Sequence, residues 1–146
     1  MISGSLRTWR KMRNFTQVQC KPLLSKNILP LPNSSKGRAA IVIGHLGETL
    51  PFMMQRLDVM PMAMTKLDRP ISSYLRENVH YTVSGFNFMA TFLDLLLQVG
   101  VERIMFSADY PYASMKQARA FLEQIPVSAA DKERIAHTNA ERLFGL

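Results

Sequence analysis

The sequence predicts an α/β fold over residues 39–146, and three observations lead to that class. Short apolar runs alternate with segments whose apolar residues recur at helical spacing. The connections between the runs are long enough to place successive strands parallel to one another. Polar residues gather directly after the first and third runs, at the end of the strands where α/β enzymes place their chemistry. We therefore expect a parallel sheet packed against helices, with a site at one end of the strands.

The elements are expected in the order strand, helix, strand, helix, strand, helix. Continuous apolar runs such as residues 39–43 are typical of strands buried on both faces. The strands are predicted at 39–43, 79–83 and 103–107. The helices are predicted at 49–57 with Thr49 as its cap, at 72–78, at 87–99 closed by Gly100, at 114–124, and at 128–138 with a final turn through 143. Ser128 and Asp131 have the spacing of a capping box.

The net charge of +7 is distributed unevenly along the chain. Residues 1–38 contain eight basic and no acidic residues, whereas residues 39–146 contain ten basic and eleven acidic residues, a net charge of −1. A domain so close to neutral does not present the positive surface that binds nucleic acid. No apolar run approaches the roughly 20 residues of a membrane span. We therefore expect neither a nucleic-acid partner nor a membrane for residues 39–146.

Residues 1–38 form a predicted basic tail or linker. They show no sustained strand or helix period, and they contain three prolines and an Asn-Ser-Ser-Lys-Gly stretch typical of linkers. The single cysteine, Cys20, excludes an internal disulfide and fits a reducing, cytoplasmic compartment. The alternative is a mitochondrial targeting peptide, because acidic-poor starts with Arg and Ser are typical of such peptides.

Three polar side chains follow the predicted strands and are the candidates for catalysis. His45 and Glu48 lie in a glycine-flanked loop after the first strand, and Asp109 follows the third. A carboxylate next to a histidine can orient the imidazole as a general acid or base. A carboxylate at a strand end can bind a divalent metal or transfer a proton. Each is weak evidence alone, since a loop histidine and a carboxylate before proline also occur as ordinary turn residues. Their shared end of the sheet favours a functional site.

Other polar residues give weaker indications. Arg56, on the helix after the first strand, is a candidate to bind a substrate carboxylate, with an ordinary surface arginine as the alternative. His80 and His137 are interpreted as structural, and the ten methionines as packing residues. The sequence contains no phosphate-binding loop, dinucleotide fingerprint or nucleophile elbow.

Several motifs in order resemble the amidohydrolase-related (amidohydrolase 2) family. The first is Gly-His-Leu-Gly-Glu-Thr-Leu-Pro-Phe over 44–52, followed by Arg56 and Asp58. Further matches are Arg69-Pro70, Tyr74-Leu75 with Asn78-Val79, Thr82 with Ser84-Gly85-Phe86, Phe106-Ser107-Ala108-Asp109-Tyr110-Pro111, and Asn139-Ala140 with Arg142-Leu143. The Leu-Pro-Phe and Arg-x-Asp elements are more similar to the 2,3-dihydroxybenzoate and γ-resorcylate decarboxylases than to aminocarboxymuconate-semialdehyde decarboxylase.

The resemblance implies a TIM (β/α)₈ barrel, of which residues 39–146 would be the C-terminal three (β/α) units, incomplete in this chain. It implies non-oxidative decarboxylation of a small hydroxylated aromatic acid with Zn²⁺ or Mn²⁺, in a family whose members form homo-oligomers. Asp109 matches the family's metal-binding and proton-donating aspartate. His45 and Glu48 match residues that contact the substrate hydroxyl or relay protons, and Arg56 matches a substrate-binding arginine.

The chain departs from the family pattern in its metal ligands. The family takes further ligands from a His-x-His or Glu-x-His on its first strand and from a histidine after its fifth, and residues 1–38 contain no histidine. We therefore expect a chain that is inactive alone. The alternatives are a non-catalytic remnant or interaction module, and a metal-dependent hydrolase of the same superfamily.

Overall fold

A parallel three-stranded sheet forms the centre of the fold. The computed structural model describes residues 41–61, 64 and 66–146. The strands are β1 (Ile41–Ile43), β2 (Val79–Thr82) and β3 (Ile104–Met105), in the order β1–β2–β3. Ile41 is opposite Val79, and Tyr81 is opposite Ile104. The predicted α/β class with parallel strands is confirmed. The start of the first predicted strand and the predicted boundary at residue 38 lie outside the described residues.

Helices connect the strands and follow β3. Two short 3₁₀ turns, His45–Gly47 and Val101–Arg103, flank the strands, and a π turn, Arg134–Thr138, joins the last two helices. The helices are α1 (Leu50–Asp58), α2 (Ile71–Asn78), α3 (Met89–Val99), α4 (Met115–Gln124), α5 (Ala129–Glu133) and α6 (Asn139–Phe144). Within the part of the chain that the structure describes, none of the helices is long and apolar enough to cross a membrane.

The core lies between the sheet and the helices. Side chains alternate between the two faces of a strand, so Val79, Tyr81 and Val83 share one face of β2 and its extension. All three belong to the apolar core, together with Phe92 of α3 and Ile104 of β3. The Phe92 ring meets Phe121 of α4 edge to face, with 5.8 Å between the ring centres. The opposite face of β2 carries the polar side chains of His80 and Thr82.

The helix boundaries differ from the sequence prediction for local reasons. Thr49 precedes α1 as predicted, but its side chain makes no capping hydrogen bond. Helix α3 begins at Met89 rather than at Asn87, because Phe88 keeps an extended backbone. Ser128 does cap α5, since its hydroxyl accepts from the Asp131 amide at 3.1 Å and donates to the Asp131 carboxylate at 2.8 Å. The predicted cap at Ser128 is therefore confirmed, while the Asp131 carboxylate bonds the Ser128 hydroxyl and not the backbone N–H that a capping box uses.

The side of β3 that faces away from β2 is bonded to the C-terminal helices. Met105 O accepts from the Val83 amide at 3.3 Å, so this residue presents its backbone groups towards β2. The Phe106 amide donates to Ile135 O, in the π turn, at 2.7 Å. The Asn139 side-chain amide donates to Ile104 O at 2.8 Å. These bonds satisfy backbone groups that an outer strand leaves free. The C-terminal helices therefore take up backbone groups on the outer side of β3.

Candidate functional site

The turn after β1 holds His45 and Glu48. Leu46 is fully buried in the core and anchors the turn, while Gly47 packs on Tyr81. A Cβ at Gly47 would lie 2.8 Å from the Tyr81 ring, so only glycine fits there without a shift. Between these fixed points, His45 Nδ1 lies 3.4 Å from Glu48 Oε1. The imidazole is 43% exposed and the Glu48 carboxylate 67% exposed, so both are accessible to a ligand.

Asp109 approaches the same histidine from the loop after β3. His45 Nε2 lies 3.5 Å from Asp109 Oδ2, and the Asp109 side chain is 30% exposed. The imidazole therefore has a carboxylate facing each of its two nitrogens. Such a group can hold a proton on the ring and pass it from one carboxylate to the other. The structure thus brings together the three residues that the sequence singled out.

The three strand ends that meet at this group share an unusual backbone conformation. His45, Ser84 and Asp109 have φ values of 51°, 45° and 61°, in the left-handed region that residues other than glycine rarely adopt. Each such residue costs on the order of 1 kcal/mol or more and persists where the surroundings enforce it. Gly85 provides one such constraint, because a Cβ there would lie 2.6 Å from Ala113 Cβ and 3.2 Å from Asp109 Cβ. The segment after β2 therefore packs directly against the Asp109 loop.

Two phenylalanines beside His45 were given no role by the sequence prediction. Phe86 meets the His45 ring edge to face, with 6.2 Å between ring centres, and Phe88 packs on Phe86 at 4.8 Å in the same geometry. Phe88 is 58% exposed. These rings form an apolar wall beside the imidazole, a surface on which an aromatic ligand can pack. Their position after β2 was the available signal, because β2 lies between the two strands whose ends carry His45 and Asp109.

Arg56 lies apart from this group. It is exposed on α1, and within the described residues no hydrogen bond or ion pair joins it to His45, Glu48 or Asp109. Asp58, two residues along, is bonded to another helix, since it accepts from the Ser72 amide at 2.9 Å. Hydrogen bonds from Ser72 lower the pKa of the Asp58 carboxyl, and Arg76 adds a smaller effect. Asp58 thus caps the start of α2, and the role of Arg56 stays a prediction.

The other two histidines are bonded away from the site, in agreement with their structural interpretation. His80 is buried, and its Nε2 lies 3.0 Å from Arg103 Nη1. His137 lies between two carboxylates of its own helical segment, Glu133 at 2.5 Å and Glu141 at 3.5 Å.

The described residues do not complete a metal site. Asp109 and His45 are two donors, and a catalytic zinc takes three protein ligands. Across residues 41–61, 64 and 66–146, no three His, Cys, Asp or Glu side chains are close enough together to hold a metal ion. The donors present thus fit part of such a site and not the whole of it.

Comparison with known proteins relates this chain to a protein family. The amidohydrolase family model matches residues 13–146, a range that begins before the described residues. A γ-resorcylate decarboxylase from Rhizobium sp. (strain MTP-10005) is 38% identical over 115 residues. That similarity covers 75% of this chain and 35% of the relative. The chain therefore spans about a third of the length of the curated relatives it matches.

Among solved structures, similar proteins again include decarboxylases. A 2,6-dihydroxybenzoate decarboxylase in complex with 2,6-dihydroxybenzoate is 38% identical, with a TM-score of 0.66, and the match covers 73% of this chain and 35% of that one. A dihydroxybenzoic acid decarboxylase from Polaromonas sp. JS666, with bound manganese and the inhibitor 2-nitroresorcinol, is 34% identical with a TM-score of 0.65, covering 73% of this chain and 34% of that one. With a family model that matches nearly all of its length, the chain belongs to the amidohydrolase-related (amidohydrolase 2) family.

Proposed function

We propose that this chain supplies the proton-transfer part of a metal-dependent, non-oxidative decarboxylase of hydroxylated aromatic acids. The observation that carries the proposal is the approach of His45 Nε2 to Asp109 Oδ2 at 3.5 Å, with Glu48 on the other ring nitrogen. Support comes from relatives named as decarboxylases of dihydroxybenzoates. The Phe86–Phe88 wall beside the imidazole is suited to an aromatic substrate.

The reaction needs a proton at the ring carbon that bears the carboxylate. The proton adds to that carbon, the bond to the carboxylate breaks, CO₂ leaves, and the electron pair of the broken bond restores the aromatic ring. We assign the donation to the acid form of Asp109 and its reprotonation to His45, which faces it. Glu48 orients the imidazole through Nδ1 and stabilises its charged form.

We assign to Arg56 the binding of the substrate carboxylate. A guanidinium can form two parallel hydrogen bonds to a carboxylate, and its exposure on α1 leaves it available to a ligand. A divalent cation, Mn²⁺ or Zn²⁺, with Asp109 as one ligand, would supply further positive charge for an anionic substrate. The two donors present are expected to bind such a cation weakly, so we expect residues 1–146 alone to be inactive.

Site substitutions in a complete enzyme test the proposal. Residues 39–146 would replace the corresponding part of the Rhizobium γ-resorcylate decarboxylase, and CO₂ release from 2,6-dihydroxybenzoate would be measured with Mn²⁺ present. Asp109→Asn should remove nearly all turnover, because the amide keeps the shape but cannot donate the proton; general acid–base groups contribute about 10²- to 10⁴-fold. Glu48→Gln should cost less, since Glu48 acts through His45.

The control is Glu123→Gln, a change at an exposed carboxylate on α4 that pairs with Arg119 away from the site. It should leave turnover unchanged. An Asp109→Asn chimera that keeps its manganese content and most of its rate would contradict the assignment. Clear CO₂ release by residues 1–146 alone would contradict the expectation of inactivity.

A further inference from the structure

A chain of buried hydroxyl groups lies beneath the candidate site. Thr82 Oγ1 and Ser84 Oγ are 2.6 Å apart, and Ser84 Oγ and Ser107 Oγ are 3.2 Å apart. All three side chains are less than a tenth exposed. Thr82 ends β2 and Ser107 follows β3, so the hydroxyl chain connects the ends of two neighbouring strands. Ser84 is its middle member.

Ser84 also lies close to the third strand end. A Cβ built on Gly44, the residue before His45, would lie 3.3 Å from Ser84 Oγ. This hydroxyl therefore lies where the segments that carry His45 and Asp109 approach each other. Gly44 directly precedes His45, and Ser107 is two residues before Asp109. The next residue, Gly85, packs on Asp109 itself.

The backbone at Ser84 shows that this position is held in place. Its φ of 45° is unfavourable for serine, and glycine would adopt it more easily. A hydroxyl is nevertheless present, and it is buried with hydrogen-bond partners on both sides. A buried polar group with its partners satisfied restricts the neighbouring segments to one arrangement.

We propose that Ser84 is a positioning residue whose hydroxyl sets the separation between His45 and Asp109. It holds the Gly44 and Ser107 segments against each other, and through them the imidazole and the carboxylate. Ser84 does not take part in proton transfer. That the contact between His45 and Asp109 matters for catalysis rests on the proposed function. The contact itself can be measured without the reaction.

The experiment is a double-mutant cycle on the full 146-residue chain at pH 7, with NMR as the measurement. The chain has three histidines, so the His45 imidazole signals can be assigned from their loss in His45→Asn. Asp109→Asn should shift those signals because the facing carboxylate is removed. In a Ser84→Ala background the same substitution should produce a shift at least about twofold smaller, the non-additivity expected of coupled neighbours.

Ser128→Ala is the matched control, since it also removes a serine hydroxyl with two hydrogen bonds, but at the exposed cap of α5. It should leave the shift unchanged. Ser84→Gly removes the hydroxyl and relaxes the backbone, and should reduce the shift as Ser84→Ala does. It also provides a second measurement should Ser84→Ala not fold.

The proposal is overturned if the shift is the same with and without the Ser84 hydroxyl, or if Ser128→Ala reduces it equally. No shift on Asp109→Asn in the wild-type background would show that the pair itself does not form. Failure of the chimera to release CO₂ would instead remove the proposed reaction and leave this result intact.

Discussion

At the residue scale, His80 has the opposite environment to His45. It is buried at the start of β2, and its Nε2 accepts a hydrogen bond from Arg103. Burial, together with the charges of Arg103 and Arg142, lowers the pKa of His80 to about 4. The neutral ring then carries its proton on Nδ1, which is buried and has no hydrogen-bond partner in the described structure. A second positive charge at this position would be both desolvated and repelled.

The low pKa of His80 makes stability depend on pH. The unfolded chain takes up the proton near pH 6.5 and the folded chain only near pH 4, so between these values the unfolded state binds more protons. Stability from this group is therefore complete above pH 6.5 and decreases as the pH falls towards 4. We expect a loss of about 2 kcal/mol between pH 7 and pH 5, measured by urea unfolding.

His80→Gln separates this effect from the titration of the acidic residues. Glutamine does not titrate and retains an acceptor for Arg103. The variant should lose less stability than the wild type over the same pH interval, although it is less stable at pH 7. Equal losses in the two proteins would show that His80 is protonated as easily in the folded chain as in the unfolded one.

At the element scale, the C-terminal helices complete the hydrogen bonding of β3. The Asn139 side chain, almost fully buried, donates to Val101 O and Ile104 O at 2.8 Å each. The π turn places Ile135 O against the Phe106 amide. Turns of this wide type release a carbonyl from the helical pattern, and here the released carbonyl has a partner in the sheet. The α5–α6 segment is therefore part of the hydrogen-bonded sheet as well as its cover.

Asn139→Ala should destabilise the fold by about 2–4 kcal/mol, because a buried and a part-buried carbonyl lose their donor and a small cavity remains. The Phe106 amide, next to this contact, should also exchange its hydrogen with solvent more rapidly. Ser128→Ala, at an exposed helix cap, is the comparison and should cost about 1 kcal/mol. Urea unfolding measures both. If the two variants lost similar stability, the Asn139 bonds would not be what holds the helices to β3.

The elements could be predicted from sequence where their signals are local. The capping of α5 by Ser128 and the closure of α3 at Gly100 depend on residues only a few positions apart. The shortness of β3 could not be predicted, because the apolar run 104–106 continues past the strand, which ends at Met105. The Phe106 amide donates to Ile135 O, in the π turn much later in the chain. Asp58 entered the sequence comparison only as part of a motif, and its capping of α2 is a contact that sequence spacing does not reveal.

At the scale of the whole molecule, the position of the site could be predicted from sequence, but the full set of residues that form it could not. Parallel strands end together, so polar residues after β1 and β3 were expected to meet, and His45 and Asp109 do. The contribution of β2 was not foreseen, since Ser84 and Phe86 carry no charge and have no distinctive spacing. Their roles follow from packing between strand ends, which depends on the three-dimensional arrangement.

The predicted tail can be tested by truncation. If residues 1–38 are a solvated extension, deleting them should leave the thermal transition almost unchanged. The family model, however, matches from residue 13, so part of this segment corresponds to family sequence. Deletion of residues 1–12 is therefore the control. A transition that survives this shorter deletion but is lost on deleting 1–38 would assign residues 13–38 to the fold.

The bonding of β3 to the C-terminal helices makes the two edges of the described sheet different. Ile104 O and the Phe106 amide already have partners, so an incoming strand finds no free groups at that position. Growth of the described sheet is left to the β1 side, where Ile41 and Val42 are partly exposed. If two copies paired through β1, each would present its closed side outwards and a third could not be added. Strand pairing between copies of the described sheet would therefore end at a two-fold symmetric dimer and would not propagate into a fibre.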